Sequence, residues 1–293
     1  MFLLRWLSRR SLRLLHAVGG ALGWITYALS PSYRRRLQAN AALAGVTPAQ
    51  RRAAVAEAGK MVLETPRLWL RAPDQPIADP LFWQGETLIE HSLAQGRGLI
   101  LLTPHLGSFE VCAQGYAQRY GATHPITVLF RPARQRVLRE LEESARGRPA
   151  LATAPATLGG VRLMLRALRR GETIGLLPDQ VPPDGLGVWA PMFGAPAYTM
   201  TLAARLAQQA GAPILLIWCE RLAHGGGFKL RVQDLPEALP GGAADSATLL
   251  RAQAETINRA MQHLIMQCPQ QYLWGYNRYK QPRPLGDGGS IQA

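Results

Sequence analysis

His105-Leu-Gly-Ser-Phe-Glu110 sets a histidine and a carboxylate five residues apart. The segment follows a short apolar run, Leu99-Ile-Leu-Leu-Thr103, and Pro104, and leads into a helical stretch from Phe109 to Tyr120. A base and its orienter suit the point where a buried strand turns into a helix. The imidazole then sits at the strand's carboxyl end, where open α/β sheets bind ligands. The Glu110 carboxylate would hold one ring nitrogen so that the other accepts a proton. The competing reading is a structural histidine at a turn, with Glu110 a first-turn carboxylate that favours the helix dipole.

The elements that must position this pair alternate along the chain. Leu99–Thr103, Ile126–Phe130, Thr173–Leu177, Ile214–Cys219 and Phe228–Val232 read as strands. Thr47-Pro48 opens a helix to about Arg71, and Glu86–Gln95 forms another, stopped by Gly96. Further helical runs are Phe109–Tyr120, Gln135–Arg146, Leu158–Arg169, Thr199–Ala210 and Ser246–Gln267. Strands separated by helices predict an α/β fold, a sheet with helices on both faces. Asp179–Ala197, rich in Pro and Gly, reads as a functional loop.

Leu14–Ser30 is mostly apolar and bracketed by Arg5, Arg9, Arg10 and Arg13 on one side and Arg34, Arg35 and Arg36 on the other. It reads as an anchor that spans a bilayer once or lies tilted in one leaflet. Small residues at Ala28-Leu-Ser30 would also suit a cleaved signal peptide, against which Pro31 and the second arginine cluster argue. The expected organisation is an anchor over 1–36, a catalytic domain over 37–283 and a flexible tail over 284–293.

Composition narrows the partners. The 293 residues carry a net charge of +14, and of 33 basic residues only Lys60, Lys229 and Lys280 are lysine. Arginine forks match phosphates and carboxylates, so anionic partners are expected: a membrane surface, a phosphorylated glycolipid, an acidic carrier protein or nucleic acid. A genome biased toward arginine codons would look the same. Cys112, Cys219 and Cys268 are too widely spaced for a zinc knuckle or a disulfide framework, and a reducing compartment is the simpler reading. His16, His91, His124, His224 and His263 form no ligand cluster, so no metal is expected. No Gly-x-Gly-x-x-Gly or phosphate loop appears, and no cofactor is expected. Tyr272–Lys280 mixes aromatic and basic residues, as nucleic-acid readers do. The same mixture suits a membrane interface, which the N-terminal segment favours, so nucleic acid is not expected as a partner.

Several segments, taken in order, carry a family resemblance. They are the His105–Glu110 motif, Leu129-Phe-Arg-Pro132, Leu177-Pro-Asp-Gln180, Phe193-Gly194 with Thr199, and Tyr272-Leu-Trp274 with Arg278 and Lys280. Together they resemble the late acyltransferases of bacterial lipid A biosynthesis, the lauroyl/myristoyl transferase family, from the N-terminal segment to about Pro282. The His-x4-acid motif is shared with the wider glycerolipid acyltransferase superfamily, where the acid is Asp; Glu is common in this branch. The resemblance implies a glycerolipid-acyltransferase-like mixed sheet and a thioester donor on acyl carrier protein. It implies as acceptor a hydroxyl of a 3-hydroxyacyl chain on a Kdo-bearing lipid A precursor. It also implies a place at the bacterial inner membrane, facing the cytoplasm. Asp179, Gln180 and Arg278 fall at family positions and are implied to contact substrate; Asp179 and Gln180 would orient a loop or the acceptor sugar.

For such a transfer, His105 would take the hydroxyl proton and Glu110 would fix its tautomer. Backbone amides near Gly107 and Ser108, at a helix start, would meet the oxyanion. Arg131 directly follows the strand Ile126–Phe130 and would reach the same rim, to bind either the oxyanion or a glycolipid phosphate. Ser108 as a nucleophile lacks the Gly-x-Ser-x-Gly setting, and Cys112 reads as packed. The rival readings are acylation of another glycolipid, such as a phosphatidylinositol mannoside, and a non-catalytic, basic, membrane-associated nucleic-acid binder.

Overall fold

The apolar runs pair into one sheet, and their order sets where the site lies. The computed structural model describes residues 2–72, 75–78, 80–130, 148, 150–242 and 247–284. Among the described residues, seven strands form this sheet in the order β1 (Leu81–Gln84), β9 (Phe228–Asp234), β8 (Ile214–Arg221), β2 (Leu99–Leu102), β5 (Thr173–Leu176), β3 (Ile126–Phe130) and β4 (Leu151–Pro155). From β8 to β4 all pairs are parallel; β9 is antiparallel to β8, and β1 follows β9 in parallel. The sheet is therefore mixed but largely parallel.

β2 is buried at all four positions, as a central strand covered on both faces must be. Leu99 and Leu101 enter one hydrophobic cluster, Ile100 and Leu102 the other. Helices α5 (Glu86–Ala94) and α6 (Phe109–Tyr120) cover the first face. Helices α7 (Leu158–Arg169), α8 (Leu202–Ala210) and α9 (Ala247–Gln267) cover the second. Helix α4 (Pro48–Leu70), opened by a Thr47–Gln50 capping box, serves both: Ala54 and Val55 join the second cluster and Leu68 the first.

A hairpin and two edge strands differ from the sequence reading. The stretch read as a functional loop, Asp179–Ala197, contains β6 (Gly187–Met192) and leads into β7 (Ala195–Met200), an antiparallel hairpin. Its turn residues Phe193 and Gly194 both have positive φ, 49° and 78°, the signature of a two-residue hairpin turn. Thr199 therefore belongs to β7, and α8 starts only at Leu202. Strands β1 and β4 were missed, because short edge strands with exposed positions carry no continuous apolar run. The helix expected over Gln135–Arg146 and nearly all of the expected tail lie outside the described residues.

The N-terminal segment forms α1 (Phe2–Ser8), α2 (Leu12–Leu29) and α3 (Pro31–Leu43), so α3 runs through the boundary expected at residue 36. Among the described residues, no helix is long and apolar enough to cross a membrane. The spanning reading of Leu14–Ser30 is corrected accordingly. One face of α2, with Leu15, His16, Gly19 and Gly23, is buried. Gly19 and Gly23 meet Gly59 of α4 so closely that a Cβ on Gly59 would lie 1.9 Å from the Gly19 carbonyl oxygen. The opposite face leaves Leu14, Val18, Leu22, Ile25 and Leu29 between 40% and 79% exposed.

Candidate active site

Leu102 of β2 stands opposite Leu176 of β5 in the parallel register. His105 follows the first by three residues and Asp179 follows the second by three. The register thus delivers both to the same carboxyl rim, at neighbouring strands. Asp179 Oδ1 lies 2.8 Å from His105 Nδ1, and its Oδ2 accepts from the His105 main-chain N–H at 2.9 Å. The Tyr272 hydroxyl donates to the same Oδ2 at 3.2 Å. Burial alone would raise the Asp179 pKa. The attraction of His105 in its protonated form, the two hydrogen bonds from His105 and the Arg278 charge more than offset that, and hold the carboxyl below its usual range.

An ionised Asp179 makes Nδ1 the protonated nitrogen, donating to the carboxylate. That leaves Nε2 as an acceptor, and the Gln180 carboxamide donates to it at 3.0 Å. The ring is further confined by Phe109, 4.7 Å between centroids. The result is a preformed proton acceptor whose lone pair is held by a side-chain amide. Tyr272 stays a neutral donor, since burial and the nearby Asp179 charge push its pKa far up.

Several sequence-derived roles change. Glu110 was read as the orienter, but the ring nitrogens are taken by Asp179 and Gln180. Glu110 stands in the first turn of α6, where the helix dipole favours negative charge. Gly107 and Ser108 were read as oxyanion donors, yet their amides are committed. Gly107 N–H donates to Gln271 O at 3.0 Å and Ser108 N–H to Cys219 O at 2.8 Å. Gly107 has φ +60°, and a Cβ there would lie 1.9 Å from Cys219 O, so the crossing demands glycine. The Ser108 hydroxyl is buried with no partner among the described residues.

Arg278, implied to contact substrate, is 3% exposed. It donates to Tyr198 O and Thr199 Oγ1, both at 2.7 Å, and so ties the C-terminal segment to β7. Burial lowers its pKa. Asp179 and Gln180, implied to orient a loop or sugar, both hydrogen-bond His105. Arg131 lies outside the described residues. Cys112 is packed beside Thr103, and burial pushes its thiol up to about 12, which removes it as a nucleophile.

The sequence reading missed Tyr272 and the clamp beneath the loop, although Tyr272-Leu-Trp274 stood among its motifs. Leu273 N–H donates to His105 O at 3.2 Å. Gln271 accepts from Arg221 N–H at 2.9 Å and donates to Arg221 O at 2.8 Å. Arg221, buried, binds Glu64 through Nε and Nη2 at 2.8 and 2.6 Å, and Glu57 through Nη1 at 2.8 Å. Its Nη2 also donates to Gly107 O at 3.2 Å, and His16 Nε2 lies 2.9 Å from Glu64.

A largely parallel sheet thus carries a carboxylate–imidazole pair at its carboxyl rim, an arrangement chemically able to accept a proton from a bound group. Comparison of whole chains gives the family: residues 1–281 match the family of bacterial lipid A biosynthesis acyltransferases, and the chain belongs to it. It is 28% identical over 229 residues to the lipid A biosynthesis lauroyltransferase of Escherichia coli K12, covering 78% of this chain and 70% of that one. It is 25% identical over 230 residues, with the same coverage, to the lipid A biosynthesis palmitoleoyltransferase of that strain. The protein is thus an acyltransferase.

Proposed function

We propose that the enzyme moves a fatty acyl chain from the thioester of acyl carrier protein to a hydroxyl of a 3-hydroxyacyl chain on a Kdo-bearing lipid A precursor. The observation that carries this reading is the Asp179–His105 pair with Nε2 left as acceptor. The acceptor hydroxyl displaces the Gln180 amide and gives its proton to Nε2 while its oxygen attacks the thioester carbonyl. The imidazolium is stabilised by the buried Asp179 charge. Collapse of the tetrahedral intermediate breaks the C–S bond. The leaving thiolate takes up the proton from Nε2, so no second acid is required. With the Gly107 and Ser108 amides committed, the oxyanion is left to Arg131, whose alternative role is to bind a glycolipid phosphate.

Attachment is proposed at the inner membrane's cytoplasmic face, with α2 lying in the interface. Its exposed stripe Leu14, Val18, Leu22, Ile25 and Leu29 follows helical spacing, and arginines flank it at both ends. Wild-type protein should then stay with the membrane at high salt, whereas Val18→Glu/Ile25→Glu should move to the soluble fraction. Equal fractionation of the two would refute the interfacial helix.

The reaction is tested by mass spectrometry of lipid A from cells with and without the gene. One ester-linked acyl chain should be missing without it. Wild type should restore the chain and His105→Ala should not, with transfer in vitro reduced by about 10²–10⁴-fold. Unchanged lipid A alongside an altered phosphatidylinositol mannoside would transfer the reading to another acceptor.

A further inference from the structure

A second place in the molecule gathers positive charge around a space. Between α1, the last turns of α4 and the residues after them lies a cavity of about 540 Å³. Arg9, Arg67 and Arg71 line it together with Ser8 and Gln75, and no described carboxylate does. None of the residues that bond His105 borders it. We infer that this cavity is a phosphate-binding site separate from the catalytic rim, filled by a lipid headgroup phosphate or by free phosphate. The inference does not rest on the proposed acyl-transfer reaction.

The bland account is that these arginines only cap α4. It covers part of them. Arg148 Nη2 donates to the carbonyls of Leu68, Trp69 and Arg71 at 3.1 to 3.3 Å. Arg71 Nη1 donates to Leu68 O at 2.6 Å and to Gln114, and its Nε to Gln75 O at 3.2 Å. The negative end of α4 is thereby covered, which removes the feature that would repel an anion there. Capping does not account for Arg9, nor for more than the one Arg67 nitrogen that donates to Arg10 O at 2.8 Å.

Among the described residues, the charge beside the cavity is also poorly compensated. Arg148 keeps Nε and Nη1 buried without a partner among the described residues. Burial and the neighbouring Arg148 charge bring the Arg71 pKa down to about 9. A phosphate in the cavity would offset this positive charge and accept hydrogen bonds from Arg9, from Arg67 and from the Arg71 nitrogen that capping leaves over. A lipid is the favoured source, because α1 presents exposed Leu3 and Trp6 next to the cavity, with the Arg10 guanidinium 4.5 Å over the Trp6 ring.

The test is calorimetric titration of the full chain in neutral detergent with dihexanoyl phosphatidic acid and, separately, inorganic phosphate. Arg9→Gln/Arg67→Gln should weaken phosphatidic acid binding by about tenfold or more, the loss of one or two charge-assisted contacts. Arg162→Gln/Arg166→Gln removes the same charge from the exposed face of α7 and should change it by less than about threefold. Phosphatidic acid binding well above inorganic phosphate identifies a headgroup site; equal binding of both identifies a free-phosphate site. Absence of binding, or equal weakening by both variant pairs, would overturn the site.

Discussion

Asp179 and Glu64 are both buried carboxylates beside the loop from His105 to Ser108, the first bonded to His105 and the second to the Arg221 that reaches Gly107 O, yet they are differently finished. Glu64 is saturated. Burial raises its pKa, and the Arg221 and His16 contacts outweigh that, while Arg221 is raised in turn by Glu64 and Glu57. Arg221 spends its nitrogens on Glu64, Glu57 and Gly107 O. Asp179 binds a partner that is left with capacity to spare. Its imidazole presents Nε2 to a carboxamide on the next residue, which another donor can replace. The same ingredients thus make a rivet on one side of the loop and, in the proposed mechanism, a base on the other. What separates them is whether a lone pair remains after the internal hydrogen bonds are made.

The comparison breaks most readily at Asp179. Asp179→Asn keeps the shape but turns the preferred tautomer of His105, and turnover should fall by about 10²–10⁴-fold with the fold intact. Glu110→Gln is the companion variant: the carboxylate that fixes the tautomer is the one whose amide form loses more turnover without losing stability. Steady-state rates with a denaturation midpoint for each protein decide it. Near-normal turnover by Asp179→Asn would return the orienting role to Glu110.

The sequence carried half of the proposed catalytic pair. His105 was legible because a run of four buried apolar residues precedes it and a helix follows. Asp179 was legible only as a family position, because what joins it to His105 is the Leu102–Leu176 register across 74 residues, which no local pattern encodes. Glu110 was attractive for the opposite reason: it is near in sequence. The amides of Gly107 and Ser108 stood at a helix start, where anion sites are common. Their real acceptors, Gln271 O and Cys219 O, belong to distant segments. The central strands were readable as apolar runs. The hairpin β6–β7 was not, since its Pro and Gly content imitates a loop. The N-terminal segment misled through composition: its apolar residues are divided between a face on α4 and an exposed stripe.

A smaller effect is expected on the saturated side. Glu64→Gln leaves the Arg221 charge under-compensated in the interior and should cost about 3–5 kcal/mol, seen as a lower denaturation midpoint. The enzyme that remains folded should keep most of its turnover, because the Asp179–His105 contacts do not involve Glu64. Glu64→Leu/Arg221→Met should recover part of the stability, as Glu57 retains Lys60 at 2.5 Å. A Glu64→Gln protein of normal stability and lost turnover would show that the cluster takes part in the chemistry, and the distinction drawn above would fall.

The smallest effect tests what holds His16 against Glu64. α2 reaches α4 at a backbone crossing of Gly19, Gly23 and Gly59, and two neighbouring glycines predict opposite outcomes there. A methyl on Gly59 would lie 1.9 Å from Gly19 O and 2.7 Å from Gly23 N, both backbone atoms that can yield only if the helices separate. Gly59→Ala should therefore cost about 1–3 kcal/mol, as overpacking does. A methyl on Gly20 would meet only side chains, Ala56 Cβ at 3.6 Å and Lys60 Cε at 3.8 Å, which is ordinary contact. Gly20→Ala should be neutral or stabilising by up to about 1 kcal/mol, since alanine loses less backbone freedom in a helix than glycine. Chemical denaturation of both variants reads the difference in sign. Equal, small changes would mean that α2 shifts freely on α4, in which case the His16–Glu64 contact is incidental and the rivet consists of Arg221, Glu57 and Glu64 alone.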